Sequence, residues 1–214
     1  MEFTKSFDEM ISMVEKVFDL IGVDPTPMYY ESPEWDIFEE ACDNNNIKIA
    51  HGLTKFVLFF DDFVIKIPFK GNYSTWVSND NEDRYNPYSI NHCEYEVDVY
   101  DALCSREIGF LLCPTVYIGQ LGAVKLYAQP KCEPFTYDKH SPSEQSYNMT
   151  EEFDYYECTA DDDDVVALFA EEFGYDAPNI LDMLDEEGIR DVHQGNVGFL
   201  NGKLIIFDFC GYHY

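Results

Sequence analysis

Residues 188–211 read GIRDVHQGNVGFLNGKLIIFDFCG. Asn201-Gly202 between the apolar runs VGFL and KLIIF is the strongest short-range signal for a two-residue β-hairpin. With that turn fixed, Leu200 is expected opposite Lys203 and Asn196 opposite Phe207. Asn196 and Asp208 then share the open end of the hairpin. Directly opposed Cβ atoms lie about 5 Å apart, within reach of one cation. Asp191 stands five residues before Asn196, in the segment leading in. Two oxygen ligands and a nearby carboxylate suit Mg²⁺ held partly by phosphates and water.

Working outward, Gly188 predicts the stop of a short helix over Pro178–Glu187. Before it, the run Asp161–Asp164 precedes a helix expected over Val165–Phe173, where the helix dipole favours negative charge. A docking patch for a basic partner is the alternative reading of that run. Residues 133–160 read as a long polar surface loop. Strands are expected near 115–119 and 124–129, and a helix from Asn91 to Arg106. Residues 70–90 read as another loop. Three short strands are expected from Ile47 to Pro68, the last two flanking Asp61-Asp62. At the N-terminus, Ser6 and Glu9 form an S-x-x-E capping box for a helix over 6–21, and Ser32-Pro33 opens a second helix ending near Cys42.

The resulting class is α+β: a five-stranded antiparallel sheet preceded by two helices and followed by a mainly helical region. The divisions expected are an N-terminal helical extension (1–45), a sheet lobe (46–131) and a reduced helical lobe (132–214).

The chain has 214 residues and a formal charge of −29, from 42 Asp and Glu against 13 Lys and Arg. That balance argues against nucleic-acid binding, which needs clustered basic side chains. It argues equally against docking on an anionic membrane. The charge is concentrated: residues 1–40 and 151–190 carry 23 of the 29 excess negative charges. Residues 41–80 are balanced at four acids and four bases. An anionic ligand is therefore expected on the strands, and a macromolecular partner is expected to be basic. Hydrophobic residues at 46% and aromatics at 16% are enough for a packed core rather than a disordered chain. The seven cysteines are odd in number and never spaced C-x-x-C, so reduced, mostly buried thiols are expected. No signal peptide or membrane-spanning run is visible, which points to the cytoplasm.

At this point the sequence resembles the protein-kinase-like superfamily. Ile189-Arg190-Asp191-Val192-x-x-x-Asn196 is similar to the catalytic loop, and Asp208-Phe209-Cys210-Gly211 to the D-F-G metal motif. The Asp191-x-His193-x-Gly195-Asn196 wording looks more like the aminoglycoside phosphotransferases and the compact phage-encoded kinases, which would place the protein in a host cytoplasm. The resemblance implies a two-lobe fold, here with extra N-terminal helices. It also implies ATP and Mg²⁺. Asp191 would be the catalytic base, with Asn196 and Asp208 as metal ligands. In Phe63-Val64-Ile65-Lys66-Ile67, Lys66 matches the phosphate-holding lysine, paired by Glu96; Glu94 reads as a solvated acid. The turn His51-Gly52-Leu53-Thr54-Lys55 matches the phosphate loop with a single glycine, and Gly52 and Thr54 would offer backbone N–H groups. Ala128 to Cys132 falls where the family holds adenine, which makes Gln129, Lys131 and Cys132 candidate nucleotide contacts. His193 would touch phosphate or brace its loop. Only three residues follow Gly211, so the reading expects a fold truncated after that motif. The two N-terminal helices would pack in the place of missing lower-lobe helices.

Three functions compete. The first is an Mg-ATP-dependent phosphotransferase whose acceptor the pattern does not name, a basic protein being one candidate. The second is a catalytically inactive kinase-like acidic protein that binds a basic partner or mimics a polyanion. The third treats Asp191, His193 and Asp208 as the metal set of a hydrolase.

Overall fold

The computed structural model describes residues 3–71, 91–153 and 163–209. The expected 70–90 loop, Asp161 and Asp162 of the acidic run, and Cys210-Gly211 lie almost wholly or wholly outside these residues. The chain divides into two compact units. The sheet unit takes residues 1–98 and 115–131, and the helical unit takes 99–114 and 132–214.

In the sheet unit, α1 (Phe7–Ile21) opens on the expected capping box. The Ser6 hydroxyl accepts from the Glu9 N–H at 3.3 Å, and the Glu9 carboxylate accepts from the Ser6 N–H at 2.8 Å. Helix α2 (Pro33–Asn44) is capped by the Ser32 hydroxyl, with proline in the first turn, and runs two residues beyond the expected end. The strands are β1 (Ile49–His51), β2 (Lys55–Phe59), β3 (Phe63–Pro68), β4 (Val116–Leu121) and β5 (Val124–Pro130). They form one antiparallel sheet in the order β1-β2-β3-β5-β4.

Strand alternation gives that sheet two unlike faces. Phe56, Leu58, Phe63, Ile65, Ile67, Leu126 and Ala128 share a core with Met10, Val14, Phe18, Trp35, Phe38 and Cys42 from the two helices. Rings dominate this core: Trp35 meets Phe69 edge-on at 4.9 Å and Phe56 at 5.1 Å, and Phe38 meets Phe56 at 5.0 Å. The expectation that the N-terminal helices stand in for lower-lobe helices is therefore corrected. Their apolar stripes need a partner surface, and one face of the sheet is that surface. The opposite face carries Lys66 and Tyr127, which are register partners, and the neighbouring Val64–Gln129 pair. The first part of α3 (His92–Leu103) serves this face: Asn91, just before the helix, donates to the Tyr127 hydroxyl at 2.7 Å.

In the helical unit, the expected 133–160 loop is corrected in its described part. Residues Glu133–Pro134 form β6, Tyr137–His140 form α4 and Glu144–Thr150 form α5, capped by the Ser143 hydroxyl. These pieces are too short to show a hydrophobic period, which is why sequence patterning misses them. Helix α6 (Asp163–Phe173) begins two residues earlier than expected and buries Val165 through Ala170, packing against α5 and α7 (Ala177–Glu186). Helix α7 ends where Gly188, at φ 81°, turns left-handed and donates to Asp185.

The hairpin of β7 (Val197–Leu200) and β8 (Lys203–Ile206) has the expected register, Leu200 opposite Lys203, with Asn201 and Gly202 at φ 55° and 76°. It gains a third strand, because β6 pairs with β7. Gly198 permits this: a Cβ there would sit 2.4 Å from the Glu133 carbonyl oxygen. Among the described residues, no helix is long and apolar enough to cross a membrane.

Candidate functional site

The chemistry-bearing residues fall into two groups, one in each unit. In the sheet unit, β3 presents Lys66 from the face opposite the aromatic core. Its Nζ donates to Glu96 Oε2 at 2.6 Å, joining β3 to α3. Both groups are buried, Lys66 at 3% and Glu96 at 0% side-chain exposure, so water does not screen the pair. The choice of Glu96 over Glu94 has a physical basis. Glu94 is exposed, pairs with Lys125 at 2.7 Å, and is held below the usual carboxylate range chiefly by that hydrogen bond.

Sequence reading missed a third member. Lys55 begins β2, is itself buried, and places Nζ 2.8 Å from Glu96 Oε1. One carboxylate thus faces two ammonium groups, one on each oxygen. The available signal was register: Lys55 and Val57 point to the same face, and Val57 lies opposite Lys66.

The other nucleotide candidates of this unit have more local duties. The Gly52 N–H, expected as a phosphate donor, instead donates to the Lys55 carbonyl at 3.0 Å and closes the turn. Thr54 accepts on its carbonyl from the Phe69 N–H, tying the turn to the end of β3. Gln129 is buried and donates to the Thr115 hydroxyl at 2.8 Å. Lys131 fastens the β2–β3 turn, its N–H to Asp62 O at 3.0 Å and its Nζ to Phe60 O at 2.9 Å. Tyr127 sits within this face, and burial pushes its phenol well above the ordinary value.

In the helical unit, Ile189 and Val192 are buried and pin the 189–196 loop beneath Asp191. Asn196, also buried, donates Nδ2 to the Asp191 carbonyl at 2.8 Å and to its carboxylate at 3.1 Å. The Phe207 N–H donates to Asn196 O at 2.9 Å, so the register places Asn196 at the open end of the hairpin, one residue from the partner of Asp208. Phe209 is buried and anchors the segment after Asp208. His193 braces the loop: its Nδ1 accepts from the Gly195 N–H at 3.0 Å and its Nε2 lies 3.5 Å from the Asp191 carboxylate. Arg190 points outward, to Asp185.

Among the described residues, no three His, Cys, Asp or Glu side chains converge as a metal cluster. The hydrolase set of Asp191, His193 and Asp208 is therefore not assembled. A pair of hard oxygen donors is different, because Mg²⁺ keeps several waters and phosphate oxygens of its own. Asn196 turns its amide nitrogen to Asp191, so its Oδ1 would be the atom left to face a cation, with the Asp208 carboxylate as the second candidate donor. Hard oxygen donors of that kind are what Mg²⁺ would take.

A second unforeseen pairing is Cys113 with Cys132, whose Sγ atoms lie 3.3 Å apart within the helical unit. The Cys113 N–H also donates to Ile206 O, beside the parallel bridge of Leu112 to Ile206. Cys132, expected as a nucleotide contact, thus has a thiol neighbour that sequence spacing could not show. Comparison with protein-family models, curated proteins and solved structures gives no match.

Proposed function

We propose that this protein is an Mg-ATP-dependent phosphotransferase with a minimal kinase-like fold of two lobes. The observation that carries the reading is the buried Lys66–Glu96 pair, 2.6 Å long and joining β3 to α3. A lysine and a glutamate at 3% and 0% exposure give up hydration that a merely structural strand–helix contact could do without. A lysine held in one rotamer by a carboxylate is what a site for the α- and β-phosphates requires.

In this reading Lys66 binds phosphate and Glu96 orients it. Asp191 accepts or orients the acceptor hydroxyl. Its carboxylate is held from two sides, by the Asn196 amide and by the neighbouring His193 ring. Asn196 and Asp208 would hold Mg²⁺, which neutralises phosphate charge when bound. His193 and Gly195 keep the loop in shape.

The deciding assay is γ-phosphate release or transfer from Mg-ATP. Wild type is expected to turn over, with Asp191→Ala and Asp208→Asn reduced by at least about a hundredfold. Equal rates in all three proteins would end the phosphotransferase reading.

One observation favours the second reading, a catalytically inactive kinase-like acidic protein that binds a basic partner or mimics a polyanion: the Gly52 N–H is committed to its own turn. A melting-temperature rise with Mg-ATP but no phosphate release would select it. A micromolar site at millimolar ligand raises stability by about 4 kcal/mol.

A further inference from the structure

We propose that Cys113 and Cys132 form a reversible thiol–disulfide site, which a small-molecule disulfide such as oxidised glutathione closes into a clasp at the base of the β4–β5 hairpin. It needs neither ATP nor Mg²⁺, so it stands apart from the nucleotide reading above.

Three observations converge. First, the two sulfurs lie 3.3 Å apart although 19 positions separate them in sequence. An S–S bond is about 2 Å long, so it closes with about 1 Å of movement. Second, the pair has a particular place in the fold. The first segment of the helical unit ends at Pro114 and the second begins at Cys132, and the residues between them make the β4–β5 hairpin. The register that sets Val116 opposite Ala128 runs on to Thr115 and Gln129, whose side chains are joined by a 2.8 Å hydrogen bond. The cysteines follow just beyond, one on each arm. The Cys113 N–H donates to Ile206 O at 2.9 Å, and Cys132 leads directly into β6. A bond between the sulfurs therefore joins two segments that the backbone already holds, and makes the hairpin a covalent ring.

Third, the two thiols differ in access: Cys113 is fully buried and Cys132 half-buried. That difference orders the chemistry. The Cys132 thiolate attacks one sulfur of the glutathione disulfide, and one glutathione leaves as a thiolate that takes up the proton Cys132 lost. The Cys113 thiol then gives up its proton and attacks the Cys132 sulfur of the mixed disulfide, expelling the second glutathione. Two protein thiols and one glutathione disulfide become one protein disulfide and two glutathione thiols. Excess reduced glutathione drives the same steps backward.

The test equilibrates the whole chain in glutathione buffers of graded ratio, quenches with acid, alkylates the remaining thiols and maps peptides by mass spectrometry. Wild type is expected to lose two hydrogens with Cys113 linked to Cys132, and to regain them in reducing buffer. Cys113→Ala should stop at a glutathione mixed disulfide on Cys132, and folded Cys132→Ala should leave Cys113 unmodified. Cys113→Ser serves if Cys113→Ala does not fold by circular dichroism. Amide hydrogen exchange in β4 and β5 should slow by about tenfold or more on oxidation of wild type, and should not respond to oxidation in the double alanine variant. Exposed Cys104 is the control, because access alone would favour it. No linkage at any ratio, or linkage of Cys104 in place of this pair, overturns the proposal. A Cys113–Cys132 bond that leaves exchange in β4 and β5 unchanged overturns it as well, since the bond would then clasp nothing.

Discussion

Replacing Glu96 by Gln keeps the shape of the side chain and removes its charge. Two lysine ammoniums, 2.6 and 2.8 Å from its oxygens, would then face a neutral amide inside the sheet unit. Removing one partner of a buried ion pair costs about 3–5 kcal/mol, because the charge left behind has lost both water and counterion. Glu96 serves two ammoniums, so a loss within that range is expected. Against a total stability of about 5–15 kcal/mol, that is a large share. It corresponds to a fall in melting temperature of about 10 °C or more for a chain of this size. Urea unfolding followed by tryptophan fluorescence reads it, since Trp35, one of the chain's two tryptophans, is buried in the core of the same unit. The reasoning has a second arm. The triple variant Lys55→Met, Lys66→Met, Glu96→Leu removes all three charges at similar volume and should recover most of the loss, because apolar replacements of buried ion clusters are often neutral or stabilising. Glu96→Gln within about 1 kcal/mol of wild type would refute the claim that Glu96 is the buried counterion of both lysines. A triple variant less stable than Glu96→Gln would show that the charges hold the unit together in a way desolvation reasoning does not capture.

Three further outcomes are expected. The Glu9 carboxyl is held below its ordinary value of 4.5 by the Ser6 N–H and then the Ser6 hydroxyl. A lowered folded value means stability that is present above 4.5 and lost as pH falls through that lower value. Melting temperature between about pH 6 and 3 should therefore fall more steeply in wild type than in Glu9→Gln, and parallel curves would count against it. Diamide should join Cys113 to Cys132, the two thiols giving up two protons and two electrons to the diazene as one S–S bond forms. Their sulfurs lie 3.3 Å apart, so peptide mapping that finds exposed Cys104 linked instead would contradict the structure. Burial, aided by Asp43 and Glu39, pushes the Cys42 thiol up to about 11. Iodoacetamide near pH 8 should alkylate Cys104 and spare Cys42 until the protein unfolds; early labelling of Cys42 would show that its helix opens.

The parts of the fold legible in sequence are those fixed within a few residues. Asn201-Gly202 sets the β7–β8 register because only residues tolerant of positive φ complete that turn. Ser6 and Glu9 set the start of α1 because each satisfies the other's backbone amide. Glu144–Thr150 was illegible because two helical turns show no period, and Glu133–Pro134 because a two-residue strand exists only through its partner. In the candidate site, Lys66 stood out as the lone charge in an apolar run, and Glu96 as the acid leading an apolar helix face. Lys55 did not, because in sequence it follows a polar turn and reads as one more loop lysine.

The sequence by itself thus determined the five strands of the larger sheet, the hairpin that brings Asn196 toward Asp208, and the concentration of most of the excess acid in two segments. Tertiary structure alone decided which sheet face the N-terminal helices cover, that Lys55 joins Lys66 on Glu96, and that Cys113 meets Cys132. The physical reason is range. Caps, turns and periodicity act through neighbouring backbone, whereas these pairings arise when apolar faces are buried together and carry distant polar groups into the same low-dielectric space.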